Sequence, residues 1–201
     1  MTLRLVLIAA VWLGIRGEAS ADVLKLFGEI HGGGMHGSGV AGDLKDSSFF
    51  GQAGGPAYGL LVGGKVLFVN AWIQHHQYPG SNGLRTWTQF GLGTSGSIDI
   101  GDADDGLYAE LGAGLWYGIG SGAQVMPPAD RSQVTDRGII AEGRIGAGKH
   151  LSKFFDLGLV VPLSYGYFFR SSAGGLSDLS THYIGFQAEG LIALRVNVIA
   201  L

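Results

Sequence analysis

The segment Tyr183–Val198, YIGFQAEGLIALRVNV, decides the fold because its apolar and polar residues alternate. Successive side chains of a β-strand point to opposite faces of a sheet. The apolar face consists of Phe186, Ala188, Ile192, Leu194, Val196 and Val198. The polar face carries Gln187, Glu189, Arg195 and Asn197. This alternation predicts a strand that lies between an apolar and a polar environment.

The same alternation recurs along the rest of the chain, in segments that turn residues separate. These segments are Val23–Met35, Ala57–Leu67, Val69–Tyr78, Arg85–Ile100, Leu107–Ile119, Gly138–His150 and Phe155–Phe169. Together with Tyr183–Val198, these seven segments predict an all-β fold, namely an eight-stranded antiparallel up-and-down barrel. Its continuous apolar face and sparsely charged polar face indicate a transmembrane barrel, apolar toward lipid and polar toward the lumen. A secreted soluble β-sandwich is the alternative fold.

The connections between the segments alternate in length. They comprise residues 36–56, a turn near 68, and residues 79–84, 101–106, 120–137, 151–154 and 170–182. Every second connection is short. Outer-membrane barrels have short periplasmic turns, longer external loops and an even number of strands. The pattern therefore predicts a bacterial outer-membrane protein with both termini in the periplasm.

The first 21 residues have the features of a cleaved signal peptide. Arg4 supplies the positive charge, Leu5–Ile15 is apolar, and Ala19-Ser20-Ala21 is a small-residue cleavage site. We expect a signal peptide over 1–21 and one barrel domain over 22–201. Charged residues make up 14% of the chain and the net charge is −3, so nothing in the composition favours a nucleic-acid partner.

Glycine-rich alternating stretches such as Tyr108–Gly118 (YAELGAGLWYG) and Glu142–Lys149 (EGRIGAGK) extend the pattern. With them the chain, over residues 22–201, resembles small outer-membrane barrels of the OmpA/OmpX type. The resemblance implies a Gram-negative cell-envelope protein whose partners are outer-membrane lipid, lipopolysaccharide and the barrel-insertion machinery. Such barrels commonly end in an aromatic residue, whereas this chain ends in Leu201.

Acids and bases occur in equal number on the predicted luminal faces. The set consists of Lys25, Glu29, Lys65, Glu110, Glu142, Arg144, Glu189 and Arg195. The lumen of an eight-stranded barrel is just wide enough for side chains to fill it. Buried carboxylates must pair with cations or lose their charge. We therefore expect a structural salt-bridge network that fills the lumen, with a narrow, porin-like ion channel as the alternative.

The histidines are scattered, and no metal-ligand spacing recurs among them. His75 and His76 are adjacent and should point to opposite faces of a strand. A lipid-modifying outer-membrane enzyme is a further alternative, because histidines occur near serines and acids in the predicted loops. These residues are His36 with Asp43, Asp46, Ser47 and Ser48, and His182 with Asp178 and Ser180. We expect no catalytic site, no cofactor and no metal.

Two long connections are the candidates for binding a surface partner, because long loops on a rigid scaffold commonly carry function. They are residues 36–56 and 120–137, and the second contains Val125-Met126-Pro127-Pro128. Aromatic residues near the predicted loop side indicate a membrane-interface girdle. They are Phe49, Phe50, Tyr58, Tyr78, Trp87, Tyr117, Tyr165, Tyr167, Phe168, Phe169 and Tyr183. The sequence thus predicts a non-enzymatic barrel with a structural or surface-recognition role.

Overall fold

The computed structural model describes residues 24–42, 55–80, 83–101, 105–126, 130–173 and 181–200. The predicted signal peptide lies outside these residues. Eight strands form in chain order: β1 (Leu24–Gly42), β2 (Gly55–Val66), β3 (Val69–Gly80), β4 (Gly83–Ile100), β5 (Leu107–Met126), β6 (Asp130–Ser152), β7 (Phe155–Ala173) and β8 (Thr181–Ala200). Among the described residues there is no helix long and apolar enough to cross a membrane.

The strands pair antiparallel, each with its neighbour in the chain, and the ring closes where β1 pairs with β8. Leu24 lies opposite Ala200 at one end of the closing seam, and Gly42 lies opposite Tyr183 at the other. The predicted eight-stranded antiparallel up-and-down barrel is confirmed. Closure leaves no strand edge unpaired, as a membrane-spanning sheet requires.

The outer surface of the barrel is apolar and the lumen holds the charges. Ile30, Leu115 and Ile192 project outward and are 62%, 65% and 64% exposed. Glu29, Glu142 and Glu189, in contrast, are 3–5% exposed. A soluble protein rarely exposes so large an apolar surface. The fold is therefore that of a transmembrane β-barrel, as in the small barrels that the sequence resembles.

Four of the predicted connections are shorter than the sequence indicated. Residues 79–84 are mostly strand, because Pro79 pairs with Leu84 and Gly80 with Gly83, and β7 continues to Ala173 within 170–182. The segment 120–137 is mostly strand, because β5 continues to Met126 and β6 begins at Asp130, with Gly122 paired to Val134. Residues 36–42 belong to β1, and β2 begins at Gly55. These stretches lack the apolar alternation by which the shorter segments were recognised, yet the backbone pairing continues through them. The remainder of the first loop, 43–54, lies outside the described residues.

The uncertain turn between the second and third segments is a two-residue hairpin at Leu67-Phe68. Val66 pairs directly with Val69. Leu67 adopts a φ of 54°, in the left-handed region that a bulky side chain rarely occupies. Leu67 and Phe68 are both largely exposed. The tight connection predicted near residue 68 is confirmed.

Of the nine described residues in the predicted aromatic girdle, five project outward and four are buried in the lumen. Tyr58, Tyr117, Tyr165, Tyr167 and Phe169 project outward and are exposed. The remaining described members, Tyr78, Trp87, Phe168 and Tyr183, are buried inside the barrel. Neighbouring residues of a strand point to opposite faces, so the Tyr167-Phe168-Phe169 run contributes to both surfaces. Phe49 and Phe50 lie outside the described residues.

Candidate functional site: the lumen of the barrel

The lumen is filled by side chains in successive layers. The inward residues of β8 show the order, from Asn197 and Arg195 near the strand's carboxyl end to Leu191, Glu189 and Tyr183 toward the loop end. Each layer draws residues from several strands.

Nearest the short turns, a hydrogen-bonded group links four strands, β4, β6, β7 and β8. His150 Nδ1 lies 2.7 Å from Asp156 Oδ1, and His150 Nε2 lies 3.3 Å from Asp99 Oδ1. Asn197 donates to Asp156 Oδ2 at 2.6 Å. The ring of Tyr108 packs over His150 with 4.9 Å between centroids. None of these residues belonged to the predicted charge network.

The next layer, which we call the ion-pair plug, consists of Glu29, Glu110, Arg144 and Arg195. Arg144 Nη2 lies 2.6 Å from each carboxylate oxygen of Glu29. Arg195 donates to the two Glu110 oxygens at 2.7 and 2.9 Å, and its Nη2 contacts Glu29 Oε2 at 3.0 Å. Two acids and two bases thus compensate each other across the lumen, as buried charges require.

The two lysines of the predicted network lie opposite each other on β1 and β2, and Lys65 interacts electrostatically with Glu110 of the plug. Lys65 Nζ donates to the backbone oxygen of Ser95 at 3.1 Å. Ser95 Oγ also accepts from Asn70 Nδ2 at 2.6 Å. Lys25 lies near the start of β1 and is half-buried. The structure therefore brings four of the eight predicted charges together in the plug, with Lys65 within electrostatic reach of it.

An aromatic layer lies beside the plug. Trp72 and Trp116 pack with 4.3 Å between ring centroids, and Phe27 meets Trp72 edge-on at 6.4 Å. Leu61 and Leu191 belong to the same buried apolar cluster. This layer fills space that water would need, and none of its members belongs to the predicted charge network.

Glu142 and Glu189 lie in what we call the upper polar layer. Its members are Gln74, His76, Tyr78, Gln89, Glu142, Ser164, Gln187 and Glu189. Glu142 Oε2 accepts from Gln89 Nε2 at 3.0 Å and from Ser164 Oγ at 3.2 Å. Glu189 Oε1 accepts from Tyr78 OH at 2.9 Å. The two predicted acids are thus partnered mainly by neutral groups.

Further bonds join the upper polar layer into one network. Gln89 Nε2 donates to Gln74 Oε1 at 3.2 Å, and Gln74 contacts His76. His76 Nδ1 lies 3.1 Å from Glu189 Oε2. The His76 ring also lies 4.8 Å from that of His31, whose Nδ1 is 3.3 Å from Glu29. The histidines therefore connect the upper polar layer to the plug.

An ion pair lies nearest the loop end. Arg170 donates from Nε and Nη2 to the two Asp136 oxygens at 2.8 and 2.9 Å, and Asp136 is fully buried. Phe168 and Tyr183 stack nearby at 5.0 Å. Both charges fall in stretches predicted as loops. The extension of the strands is what carries them into the barrel.

The histidines that suggested an enzyme lie on the outer surface. His36 is exposed on β1. His182 stacks on Tyr167 at 5.9 Å and meets Phe169 edge-on. The acids and serines considered with them, Asp43, Asp46, Ser47, Ser48, Asp178 and Ser180, lie outside the described residues. Within the described part of the chain, no group of three or more histidine, aspartate or glutamate side chains is arranged to hold a metal ion.

A small cavity remains in the upper polar layer. Its volume is about 10 Å³, and its lining includes Tyr78, Glu142, Ser164 and Glu189. That volume suits about one water molecule. The cavity is too small for an organic ligand, which needs about 300 Å³ or more.

Comparison with known proteins adds two structural similarities. Neither a protein-family profile nor a curated protein matches the sequence. The crystal structure of Neisserial surface protein A shares 15% identity and a TM-score of 0.46, with 86% of this chain and 96% of that chain covered. The N-terminal β-barrel domain of Pseudomonas aeruginosa OprF shares 12% identity and a TM-score of 0.42, with coverages of 86% and 97%. Strand pairing, rather than these scores, defines the fold of this chain.

Proposed function

We propose that this chain is a non-enzymatic, integral protein of the bacterial outer membrane, with a structural or surface-recognition role. The observation that carries the proposal is an apolar exterior around a lumen filled by the ion-pair plug and the aromatic layer. The exterior suits the hydrocarbon interior of a bilayer. The filled lumen favours a sealed scaffold over a porin-like channel.

Surface recognition would involve the loop end of the barrel. The β5–β6 hairpin is well suited to it, because its pairing continues to Met126 and Asp130. A paired hairpin is more rigid than the loop predicted over 120–137. Binding to a rigid element loses less conformational entropy than binding to a mobile loop. The partners we propose are lipopolysaccharide, outer-membrane lipid, the barrel-insertion machinery during biogenesis, and a surface partner at this hairpin.

Fractionation and gel migration test membrane integration. The protein should enter the outer-membrane fraction and migrate differently in SDS before and after boiling, since a folded barrel resists the detergent. A protein in the soluble periplasmic fraction, with the same migration in both conditions, would refute membrane integration.

Epitope tags test the orientation. A tag inserted between residues 127 and 129 should bind antibody on intact cells. A tag after Leu201 should bind only after the outer membrane is permeabilised, because we place both termini in the periplasm. The reverse accessibility would overturn the orientation while leaving the barrel itself in place.

A further inference from the structure

The upper polar layer differs from the plug in its charge balance. In the plug each carboxylate contacts an arginine. Glu142 and Glu189 form no ion pair with lysine or arginine within the described strands, and the charged or chargeable neighbour in contact is His76, beside Glu189. The layer therefore holds two acids without a permanent cation in contact.

Glu142 is the less compensated of the two acids. Its side chain is buried, and its Oε2 receives both hydrogen bonds. Its Oε1 has no hydrogen-bond partner among the described residues. Arg144 lies next on the same inward face and acts on Glu142 electrostatically, but its Nη2 is bound to Glu29 and none of its nitrogens forms an ion pair with Glu142 among the described residues. A buried carboxylate with one oxygen unsatisfied is costly, so it favours neutralisation by a proton or by a bound cation.

The cavity of the upper polar layer is the position at which such a positive charge would bind. Its volume is about 10 Å³, and four of its lining residues carry side-chain oxygens that could act as ligands: Glu142, Glu189, Tyr78 and Ser164. The rest of the lining includes His76, two glutamines and aromatic side chains. Oxygen ligands suit hard cations such as those of the alkali and alkaline-earth metals. The oxygens of Glu189 already contact Tyr78, Gln187 and His76. Glu142 Oε1 and Glu189 Oε2 both lack a hydrogen-bond partner among the described residues, but Glu189 Oε2 has His76 at 3.1 Å, so Glu142 Oε1 is the oxygen that a single positive charge would compensate.

We propose that this cavity binds one small monovalent cation of the sodium class against Glu142 Oε1. The bound cation balances the buried carboxylate and joins β6 to the strands that carry Tyr78 and Glu189. The site depends on the folded barrel and is independent of what the loop end recognises. Its failure would leave the proposed function standing.

Thermal unfolding of the full protein in a non-ionic detergent, followed by circular dichroism, tests the site. Sodium chloride is compared with choline chloride at equal ionic strength and neutral pH. We expect sodium to raise the midpoint by about 2 °C or more and the rise to saturate. Lithium should also act, whereas caesium is too large for the cavity and should behave like choline.

Two variants separate the site from general salt effects. E142Q should lose the sodium-dependent rise, and in choline it should unfold at a higher temperature than the wild type because a buried charge is removed. E110Q, which changes an arginine-paired acid of the plug, should retain the sodium response.

Equal midpoints in sodium and choline, or a full sodium response in E142Q, would overturn the proposal. If E142Q does not fold, the cation series on the wild type decides, and equal midpoints in sodium and caesium would overturn the proposal.

Discussion

Arg195 on β8 and Glu110 on β5 bind each other across the lumen, with two nitrogen–oxygen distances of 2.7 and 2.9 Å. β5 and β8 are not neighbours in the barrel, so this bidentate pair spans its interior. Arg144 on β6 and Glu29 on β1 make a second such link. Two crossed arginine–carboxylate links therefore connect opposite walls of the barrel where a pore would otherwise run.

Replacing Arg195 with methionine should strongly destabilise the barrel. The substitution keeps much of the volume but leaves Arg144 as the one arginine in contact with Glu29 and Glu110 among the described residues. Removal of one partner from a buried ion pair costs about 3–5 kcal/mol. Urea unfolding in lipid vesicles, followed by tryptophan fluorescence, measures the loss.

Arg137→Met is the matched control, because Arg137 is exposed on the outer surface of the same barrel. We expect a change within about 0.5 kcal/mol for this variant. Equal losses in the two variants would show that the plug contributes no special stability.

The wild-type protein should be electrically silent in planar lipid bilayers. The ion-pair plug and the aromatic layer lie side by side and together fill the lumen, so neither leaves an open path for ions. Regular current steps from the wild-type protein would contradict the filled lumen and would support the alternative of a narrow ion channel.

Gly118 should not tolerate alanine. A methyl group there would overlap the indole ring of Trp87, which is buried in the lumen. Overpacking of this kind costs about 1–3 kcal/mol. The matched control is Gly143→Ala, since a methyl group at Gly143 meets no atom within 4 Å. Urea midpoints of the two variants give the comparison, and a harmless Gly118→Ala would disprove the close contact with Trp87.

The strands beneath the apolar outer surface were predictable because one face of each strand is apolar and outward and the other faces the polar lumen. Leu111 and Leu115 face out and Glu110 faces in, so the sequence alternates there. Alternation disappears around Ser121 and Gly122, although these residues remain paired with Thr135 and Val134. Backbone pairing alone defines this part of the hairpin. The side-chain pattern there therefore does not predict that the two strands continue.

The composition of the lumen was predictable, but its contacts were not. Glu110 and Arg195 could be assigned to the inner face from alternation alone. Their contact depends on the barrel's diameter and on the stagger of its strands, which local sequence does not specify. The same reason explains why His76, Tyr78 and Gln89 were not recognised as partners of Glu142 and Glu189.

Spin labelling tests most directly whether the apolar exterior faces lipid. The chain has no cysteine, so single cysteines introduced at Ile30, Leu115 and Ile192 can be labelled specifically. In lipid vesicles, labels there should collide often with oxygen and rarely with a water-soluble nickel complex. Labels at Ser121 and Lys149, polar outward positions toward the two ends of the barrel, should show the opposite preference. Access of the nickel complex to Ile30, Leu115 and Ile192 equal to that at Lys149 would contradict the transmembrane barrel.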